Sequence, residues 1–408
     1  MTHIISGFNA INILLVGQLK TARTETIEEY LKSRNDSFSV IGLMSPFATT
    51  NEARCSTYSN KEKIEEFPLP HFMVGEGKIF GELLIFISFI FYAYSIIKSL
   101  ILINKKFDLF IGCATFSTAC GVFLKKIGVV DRVIYYCLDF YIPPKKGIFK
   151  QFINLIYRLI DGYCINNVDV IWDISPRIRE ARKPYSIFKI REYTPVIVPM
   201  GWGKNVSRNV PVDKRNRWSI GFIGTLSENQ GLQMVIKAFP RLLSKYPNIT
   251  LNIIGSGPYH SELSTLITKF DLSSSIKMHG FISDDNEAFD VLENCMIGIA
   301  PWTGDDTDNS YYADPGKPKL YALLGLPILL TKFTMISSTI VEMGAGKAIN
   351  YSEDDFIYAI EEMMGDLTEY KKYMAGLENF KKICGADSIF SNAINKTILN
   401  LKGIKNEY

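Results

Sequence analysis

Short runs of consecutive apolar residues alternate along this chain with longer segments in which apolar residues recur every three or four positions. Helix candidates such as Glu25–Arg34 and Phe149–Asp161 are of the second kind. The first half contains six short apolar runs, at 11–17, 38–44, 107–113, 132–139, 168–175 and 194–200. Nearly continuous apolar runs are typical of strands buried on both faces of a parallel sheet. The alternation therefore predicts βαβ units in an open sheet.

The same alternation begins again after 201–217, a segment rich in Gly, Asn, Pro and charge that is typical of a linker. Six further strand-like runs follow, at 217–224, 248–255, 275–282, 295–302, 326–331 and 346–350. Residues 353–401 show helical periodicity only. The pattern predicts an α/β protein with two Rossmann-like, doubly wound parallel-sheet domains. Ligands of such sheets bind beyond the carboxyl ends of the strands.

The composition limits the kinds of partner and the cellular location that we expect for the protein. The chain has 408 residues, of which 47% are hydrophobic and 21% charged, enough for two well-filled cores. A net charge of only +3, without a dense basic run, argues against nucleic acid as a partner. Seven scattered cysteines and no CxxC pair indicate a reduced, cytoplasmic protein. The apolar run at 11–17 is too short for a signal peptide and fits a first strand.

An uncharged apolar segment at 83–97 complicates this assignment. It is shorter than the roughly 20 residues that a membrane-spanning helix needs. A buried helix of the first domain is the preferred interpretation. A helix that contacts a membrane surface is the second, and a true span is the third.

Three motifs of the second half place glycines directly after strands. In FIGTLSENQGL, Gly224 and Thr225 follow a strand where a ligand can approach the backbone. IIGSGP contains Gly255, but His260 stands where a dinucleotide fingerprint requires a third glycine. SIKMHGFIS offers backbone groups that can pair with a nucleobase, at Gly280, Phe281 and Ile282. Each motif taken alone is also consistent with an ordinary turn.

The most specific motif is ADPGKPKLYALLGLPILLT, at 313–331. Asp314, Gly316, Lys317 and Lys319 crowd the start of a short predicted helix that ends at Gly325. Ammonium groups and free backbone amides at a helix start suit a diphosphate. The alternative is a solvated turn with surface lysines, and we favour the diphosphate.

The order and spacing of these motifs across about 217–331 resemble the nucleotide-binding half of GT-B glycosyltransferases, especially the large family 4 group. The resemblance implies two domains that face a cleft. Domain 1–205 would bind the acceptor, domain 206–385 the nucleotide sugar, and a helix within 386–408 would cross back to the first domain. It further implies sugar transfer from a UDP- or GDP-linked donor to a glycan or lipid-linked glycan, with no cofactor and no required metal.

The sequence departs from the family pattern at the donor phosphates. The family usually has an Arg and a Lys where this chain has Thr225 and Gln230, and two glutamates where it has Asp314 and Tyr321. The motif from Pro315 to Tyr321 is more similar to bacterial polysaccharide glucuronosyltransferases. That similarity puts the phosphate-binding charge on Lys317 or Lys319 and includes Tyr321 in the donor site. Retention or inversion stays open.

On the acceptor side, the strongest candidate is Asp139, a carboxylate after a strand that can take a proton from an acceptor hydroxyl. A capping role is an equal alternative, and Asp173 is a weaker candidate. Lys20 and Arg23 are candidates for contacts with an anionic acceptor. The acidic segment 305–308 is interpreted as a mobile loop and not as a metal site.

Two other functions remain open on the same architecture. One is a catalytically degenerate GT-B subunit that binds a partner transferase. The absence of the family's Arg and Lys at the donor phosphates is consistent with this function. A nucleotide-sugar 2-epimerase is disfavoured because the chain has only four histidines. We expect a cytoplasmic protein, with peripheral contact to the inner face of the cell membrane through 83–97 if the acceptor is lipid-linked.

Overall fold

The computed structural model describes residues 11–19, 22–45, 51–72, 81–201, 210–306 and 308–401; at 22–23 and 81–86 it describes the backbone alone. The chain divides into two compact units. The first comprises Met1–Gly203 and Ala386–Tyr408, and the second comprises Lys204–Gly385.

An eight-stranded sheet with the order β4-β3-β2-β1-β5-β6-β7-β8 forms the centre of the first unit. Its strands are β1 (Ile13–Gln18), β2 (Ser37–Leu43), β3 (Arg54–Ser59), β4 (Glu62–Pro68), β5 (Phe107–Cys113), β6 (Val130–Cys137), β7 (Val170–Asp173) and β8 (Val196–Ile197). Its helices are α1 (Ala22–Arg34), α2 (Gly81–Ile103), α3 (Thr115–Lys126), α4 (Ile148–Asn167), α5 (Pro176–Tyr185) and, from the end of the chain, α13 (Ala386–Leu401).

One edge of this sheet differs from the prediction of parallel strands. β3 pairs with β2 and with β4 in antiparallel fashion, whereas the other neighbours are parallel. The hairpin lacks the apolar signal because β4 is an exposed edge strand rich in Glu and Lys. Charged residues on an edge strand discourage pairing with other chains.

The helix α13 packs on the first unit although it lies at the end of the chain. The indole Nε1 of Trp172 in β7 donates to Thr397 Oγ1 at 2.8 Å, and the rings of Tyr30 and Phe390 lie 5.5 Å apart. α1 and α13 thus contact each other, while α2, α3 and α4 form a separate series of neighbouring helices.

The second unit is built on a six-stranded parallel sheet with the order β11-β10-β9-β12-β13-β14. Its strands are β9 (Ser219–Ile223), β10 (Thr250–Ile254), β11 (Ile276–Gly280), β12 (Ile297–Ala300), β13 (Ile328–Thr331) and β14 (Gly346–Ile349). Its helices are α6 (Leu232–Lys245), α7 (His260–Lys269), α8 (Asp285–Glu293), α9 (Lys317–Leu323), α10 (Ile336–Glu342), α11 (Glu353–Gly365) and α12 (Leu367–Cys384).

The chain order of the strands in this sheet reverses direction between β9 and β12. The first three strands run outward from β9, and β12 then begins the other half of the sheet. Loops leaving such a pair diverge to opposite faces and open a crevice, which is where open α/β sheets bind ligands. The predicted glycine and lysine motifs must therefore be sought at the carboxyl ends of β9 and β12.

Among the helices whose side chains the structure describes, none is long and apolar enough to cross a membrane.

Candidate functional site

Two glycines shape the floor of the crevice at the strand ends. Gly224 follows β9 with φ +146°, and Gly255 follows β10 with φ +136°. A Cβ atom on Gly255 would lie 1.9 Å from the carbonyl oxygen of Gly224, so only glycine fits there. The amide of Gly255 donates to the carbonyl of Gly280 at 2.7 Å. The three predicted turns are thus side by side along one edge of the sheet.

Lys317, the first residue of α9, reaches the same crevice. Its Nζ lies 4.4 Å from the ring centre of Phe222 in β9 and 5.3 Å from that of Trp302 after β12. It also donates to Oε1 of Gln230. A Cβ atom on Gly224 would lie 2.4 Å from Lys317 Cε. The ammonium group is therefore held at the point where the strand order reverses.

This ammonium group forms no ion pair with a carboxylate of the described residues. Burial lowers the pKa of Lys317 to about 7, because the charged form loses its hydration. The two rings attract a cation but only partly replace that hydration. An anion entering the crevice would restore the charged form, and a diphosphate carries the charge that this requires.

Lys319 has a different environment although it is only two residues further along. It is 2% exposed and forms an ion pair with Asp314, which is also buried. Burial raises the pKa of Cys384 in α12 to about 12, and the nearby charge of Lys319 opposes this rise. The pair therefore lies on the side of α9 that packs against α12. The prediction that Lys319 contacts the donor stays a prediction, and the position of Lys317 suits that role better.

Tyr321 connects the two strands beneath the crevice. Its hydroxyl donates to the carbonyl of Ile299 in β12 at 2.9 Å and accepts from the amide of Ile223 in β9 at 3.3 Å. Its ring packs so closely on Gly298 that a Cβ atom there would lie 2.3 Å from it. The predicted donor-site residue Tyr321 is thus fully buried, and its hydroxyl is engaged by backbone groups.

The remaining predicted donor residues surround the crevice. Thr225 is exposed after Gly224, and Gly316 accepts a bond from the amide of Leu320 as α9 begins. Phe281, directly after β11, has 74% of its surface exposed. Ile282 follows it and is half-buried. An exposed aromatic ring beside a strand end offers a flat apolar surface to a nucleobase.

Sequence reasoning missed the residues that position Lys317 and the loop around it. Phe222 looks like an ordinary core residue, and Trp302 looked like the end of a strand. Asn229 joins two loops: its Nδ2 donates to Asp308 at 2.9 Å, and its carbonyl accepts from the amide of Thr303 at 3.0 Å. The sequence signal that could have identified Trp302 is its position, because it is an aromatic residue just after a buried strand. Within the described ranges, no group of three or more acidic, His or Cys residues is placed to hold a metal ion.

In the first unit, Asp139 lies two residues after β6 and is half-buried. The hydroxyl of Tyr157 donates to its backbone carbonyl at 3.2 Å. Asp173 is fully buried at the end of β7, where Arg182 Nη1 donates to it at 2.8 Å. Arg182 also pairs with Asp161 at 3.0 Å, so Asp173 belongs to a buried structural network. Among the predicted acceptor residues, Lys20 and the side chain of Arg23 lie outside the described residues.

Comparison with known proteins shows which family and which fold this chain resembles. Residues 204–302 match the family model described as glycosyl transferases group 1. Over 172 residues, 39% of the chain, the sequence is 29% identical to an uncharacterised glycosyltransferase of Methanocaldococcus jannaschii. That match spans 40% of the archaeal protein.

Solved structures extend the likeness to nearly the whole chain. HepE of Anabaena, solved in complex with UDP and glucose, superposes with a TM-score of 0.64 at 14% identity, covering 96% of this chain and 99% of that one. Sucrose-phosphate synthase of Thermosynechococcus elongatus gives 0.65 at 13% identity, covering 96% and 98%. At such identities the likeness establishes the fold. The predicted resemblance to GT-B glycosyltransferases and the predicted fold class are confirmed.

Proposed function

We propose that this protein, which has the fold of GT-B glycosyltransferases, transfers a sugar from a nucleoside-diphosphate sugar to a glycan or lipid-linked glycan. The observation that carries the proposal is the ammonium group of Lys317, which lies between Phe222 and Trp302 and has no carboxylate partner among the residues that the structure describes. The likeness to HepE, solved with UDP and glucose, favours a UDP-linked donor over a GDP-linked one.

The proposed chemistry follows from where charge develops. The acceptor oxygen forms a bond to the anomeric carbon while the bond from that carbon to the diphosphate breaks. The leaving diphosphate gains negative charge, which Lys317 stabilises at close range. Asp139 of the first unit takes the proton of the acceptor hydroxyl. We propose that no metal is required, because Lys317 supplies the positive charge; turnover in the presence of EDTA tests this.

The base of the donor is proposed to lie at the end of β11. The exposed ring of Phe281 and the half-buried Ile282 lie there, next to Gly280, whose carbonyl already accepts from the amide of Gly255. We further propose a cytoplasmic location, where nucleotide sugars are made available to such enzymes. A lipid-linked acceptor would bring the protein to the inner face of the cell membrane, in line with the predicted contact through 83–97.

A panel of nucleotide sugars tests the function, with binding followed by calorimetry and donor hydrolysis by product analysis. We expect one UDP-sugar to bind and to be hydrolysed slowly without an acceptor. Lys317→Met should weaken binding about 10- to 100-fold, the loss of one charge-assisted bond. The control, Lys237→Met, removes an exposed lysine of α6 in the same unit and should bind normally. Release of an epimerised sugar would instead indicate an epimerase, and absence of nucleotide binding would indicate a degenerate subunit.

A further inference from the structure

One side of the helix α2 exposes a row of apolar side chains to solvent. Ile90, Tyr94, Ile97 and Ile101 recur at intervals of four, three and four residues and therefore lie on one side of the helix. Each is between 50% and 72% exposed. An amphipathic helix on a water-soluble surface normally shows polar residues at these positions.

The opposite side of α2 is fastened to the first unit by small polar residues. Ser88, Ser95 and Ser99 are fully buried. Ser95 Oγ donates to the carbonyl of Pro70 at 3.0 Å, and Ser99 Oγ donates to the carbonyl of Ser95 at 2.8 Å. Tyr92, Ile96 and Ile103 are buried on the same side, so α2 docks on the first unit through serines and apolar residues together. This corrects the preferred prediction that 83–97 is simply a buried helix.

The neighbouring helix α3 also exposes apolar side chains at its C-terminal end. Phe123 and Ile127 are each 56% exposed, and α3 packs beside α2. We call the set of these six side chains the apolar surface; its members are Ile90, Tyr94, Ile97, Ile101, Phe123 and Ile127.

Positive charge borders this surface on the same two helices. Lys105 and Lys106 are exposed directly after α2, and Lys126 is exposed between Phe123 and Ile127. Negative charge is scarce there: α3 contains no Asp or Glu, and the acidic residue of α2 is Glu82 in its first turn. By contrast, the three glutamates of α1 are matched in number by its basic residues Arg23, Lys32 and Arg34. Lysines thus outnumber acidic residues over α2, α3 and 105–106 taken together.

We propose that the apolar surface and its bordering lysines bind a membrane whose surface contains anionic lipid. Apolar side chains enter the boundary between headgroups and acyl chains, while lysines reach the lipid phosphates. A second copy of this chain is a poorer occupant, since a two-fold interface would bring the same lysines of both copies together. The inference goes beyond the proposed transfer reaction, because binding to lipid requires neither donor nor acceptor.

Vesicle flotation of the full chain tests the inference. We compare vesicles of phosphatidylcholine alone with vesicles of phosphatidylcholine and phosphatidylglycerol. The wild type should float with the mixed vesicles, and added salt should weaken the binding. Ile97→Ser with Ile101→Ser should reduce partitioning at least about tenfold, since two exposed isoleucines no longer enter the bilayer. Lys105→Ser with Lys106→Ser should abolish the preference for phosphatidylglycerol.

The matched control is Ile64→Ser, which removes an equally exposed isoleucine from the edge strand β4 of the same unit. It should float like the wild type. Because all substituted side chains are exposed, thermal unfolding and UDP-sugar binding should not change in any variant. Two results would overturn the inference. One is a wild-type protein that does not float with mixed vesicles; the other is a dimer in sedimentation velocity that dissociates in the Ile97→Ser, Ile101→Ser variant. If the wild type does not bind a UDP-sugar, the result counts against the proposed transfer reaction and not against membrane binding.

Discussion

Lys317 lies against the backbone of Gly224, so closely that a single methyl group on Gly224 would fall 2.4 Å from Lys317 Cε. Gly224 directly follows β9 and Lys317 begins α9, so the two residues are far apart along the chain. The contact places a cation directly on the turn where the strand order of the sheet reverses. Glycine at this turn and lysine at this helix start therefore depend on each other.

Gly224→Ala should displace Lys317 and weaken UDP-sugar binding at least about tenfold, a loss of one charged contact. The control is Gly344→Ala, because Gly344 also has a positive φ, +66°, but a Cβ atom there would lie 4.0 Å from the Cα of Gly376 and meet no clash. Both substitutions should lower the free energy of unfolding by about 1–2 kcal/mol through backbone strain. Calorimetric titration with a UDP-sugar distinguishes the two variants. Equal losses of affinity in both would contradict a role for the contact between Gly224 and Lys317.

Binding of a UDP-sugar should depend on pH through Lys317. Below pH 7 the lysine is charged before the donor arrives. Above its pKa of about 7, binding must also bring in a proton, so affinity should fall by up to about tenfold per pH unit. A UDP-sugar is the appropriate probe because its diphosphate, esterified at both ends, does not titrate in this range.

Calorimetry in two buffers of different ionisation enthalpy should show proton uptake at pH 8 and little at pH 6. Lys317→Arg provides the control, because a guanidinium group stays charged over the whole range. Its affinity should be independent of pH whatever its absolute value. Wild-type affinity that does not change between pH 6 and 9 would rule out Lys317 as the titrating contact.

Lys319→Met should destabilise the second unit more than it weakens donor binding. The substitution removes the ion pair between Lys319 and the buried carboxylate of Asp314, which costs about 3–5 kcal/mol of unfolding free energy. Asp314→Leu with Lys319→Met should recover much of that loss. Urea denaturation measures the stability. If Lys319 instead contacts the donor, affinity falls by about 1–3 kcal/mol in both variants.

Asp139→Asn should lower kcat at least about 100-fold while UDP-sugar affinity and stability stay unchanged, because the lesion lies in proton transfer. Asp173→Asn is the matched comparison in the same unit. It should lower the free energy of unfolding by about 3–5 kcal/mol, since Arg182 loses one of its two buried carboxylates. Turnover of Asp139→Asn at the wild-type rate would remove Asp139 from the proposed chemistry.

The sequence determined the positions of the central strands and of the turns that follow them. Each of the twelve predicted runs overlaps a strand, because a strand buried on both faces needs an unbroken apolar run. Gly224 and Gly255 were recognisable because each directly follows such a run. The hairpin of β3 and β4 was not predicted, since its exposed strand carries charged residues and has no apolar pattern.

Only the tertiary structure distinguishes the environments of Lys317 and Lys319. Two residues on a helix point about 200° apart, so one lysine must face away from the site that the other faces. The sequence shows both at the start of the same helix but not the direction in which that helix packs. Contact of α9 with α12 turns Lys319 toward Asp314 and leaves Lys317 between Phe222 and Trp302. Phe222 lies in β9 and Trp302 follows β12, so only folding brings both rings to the ammonium group.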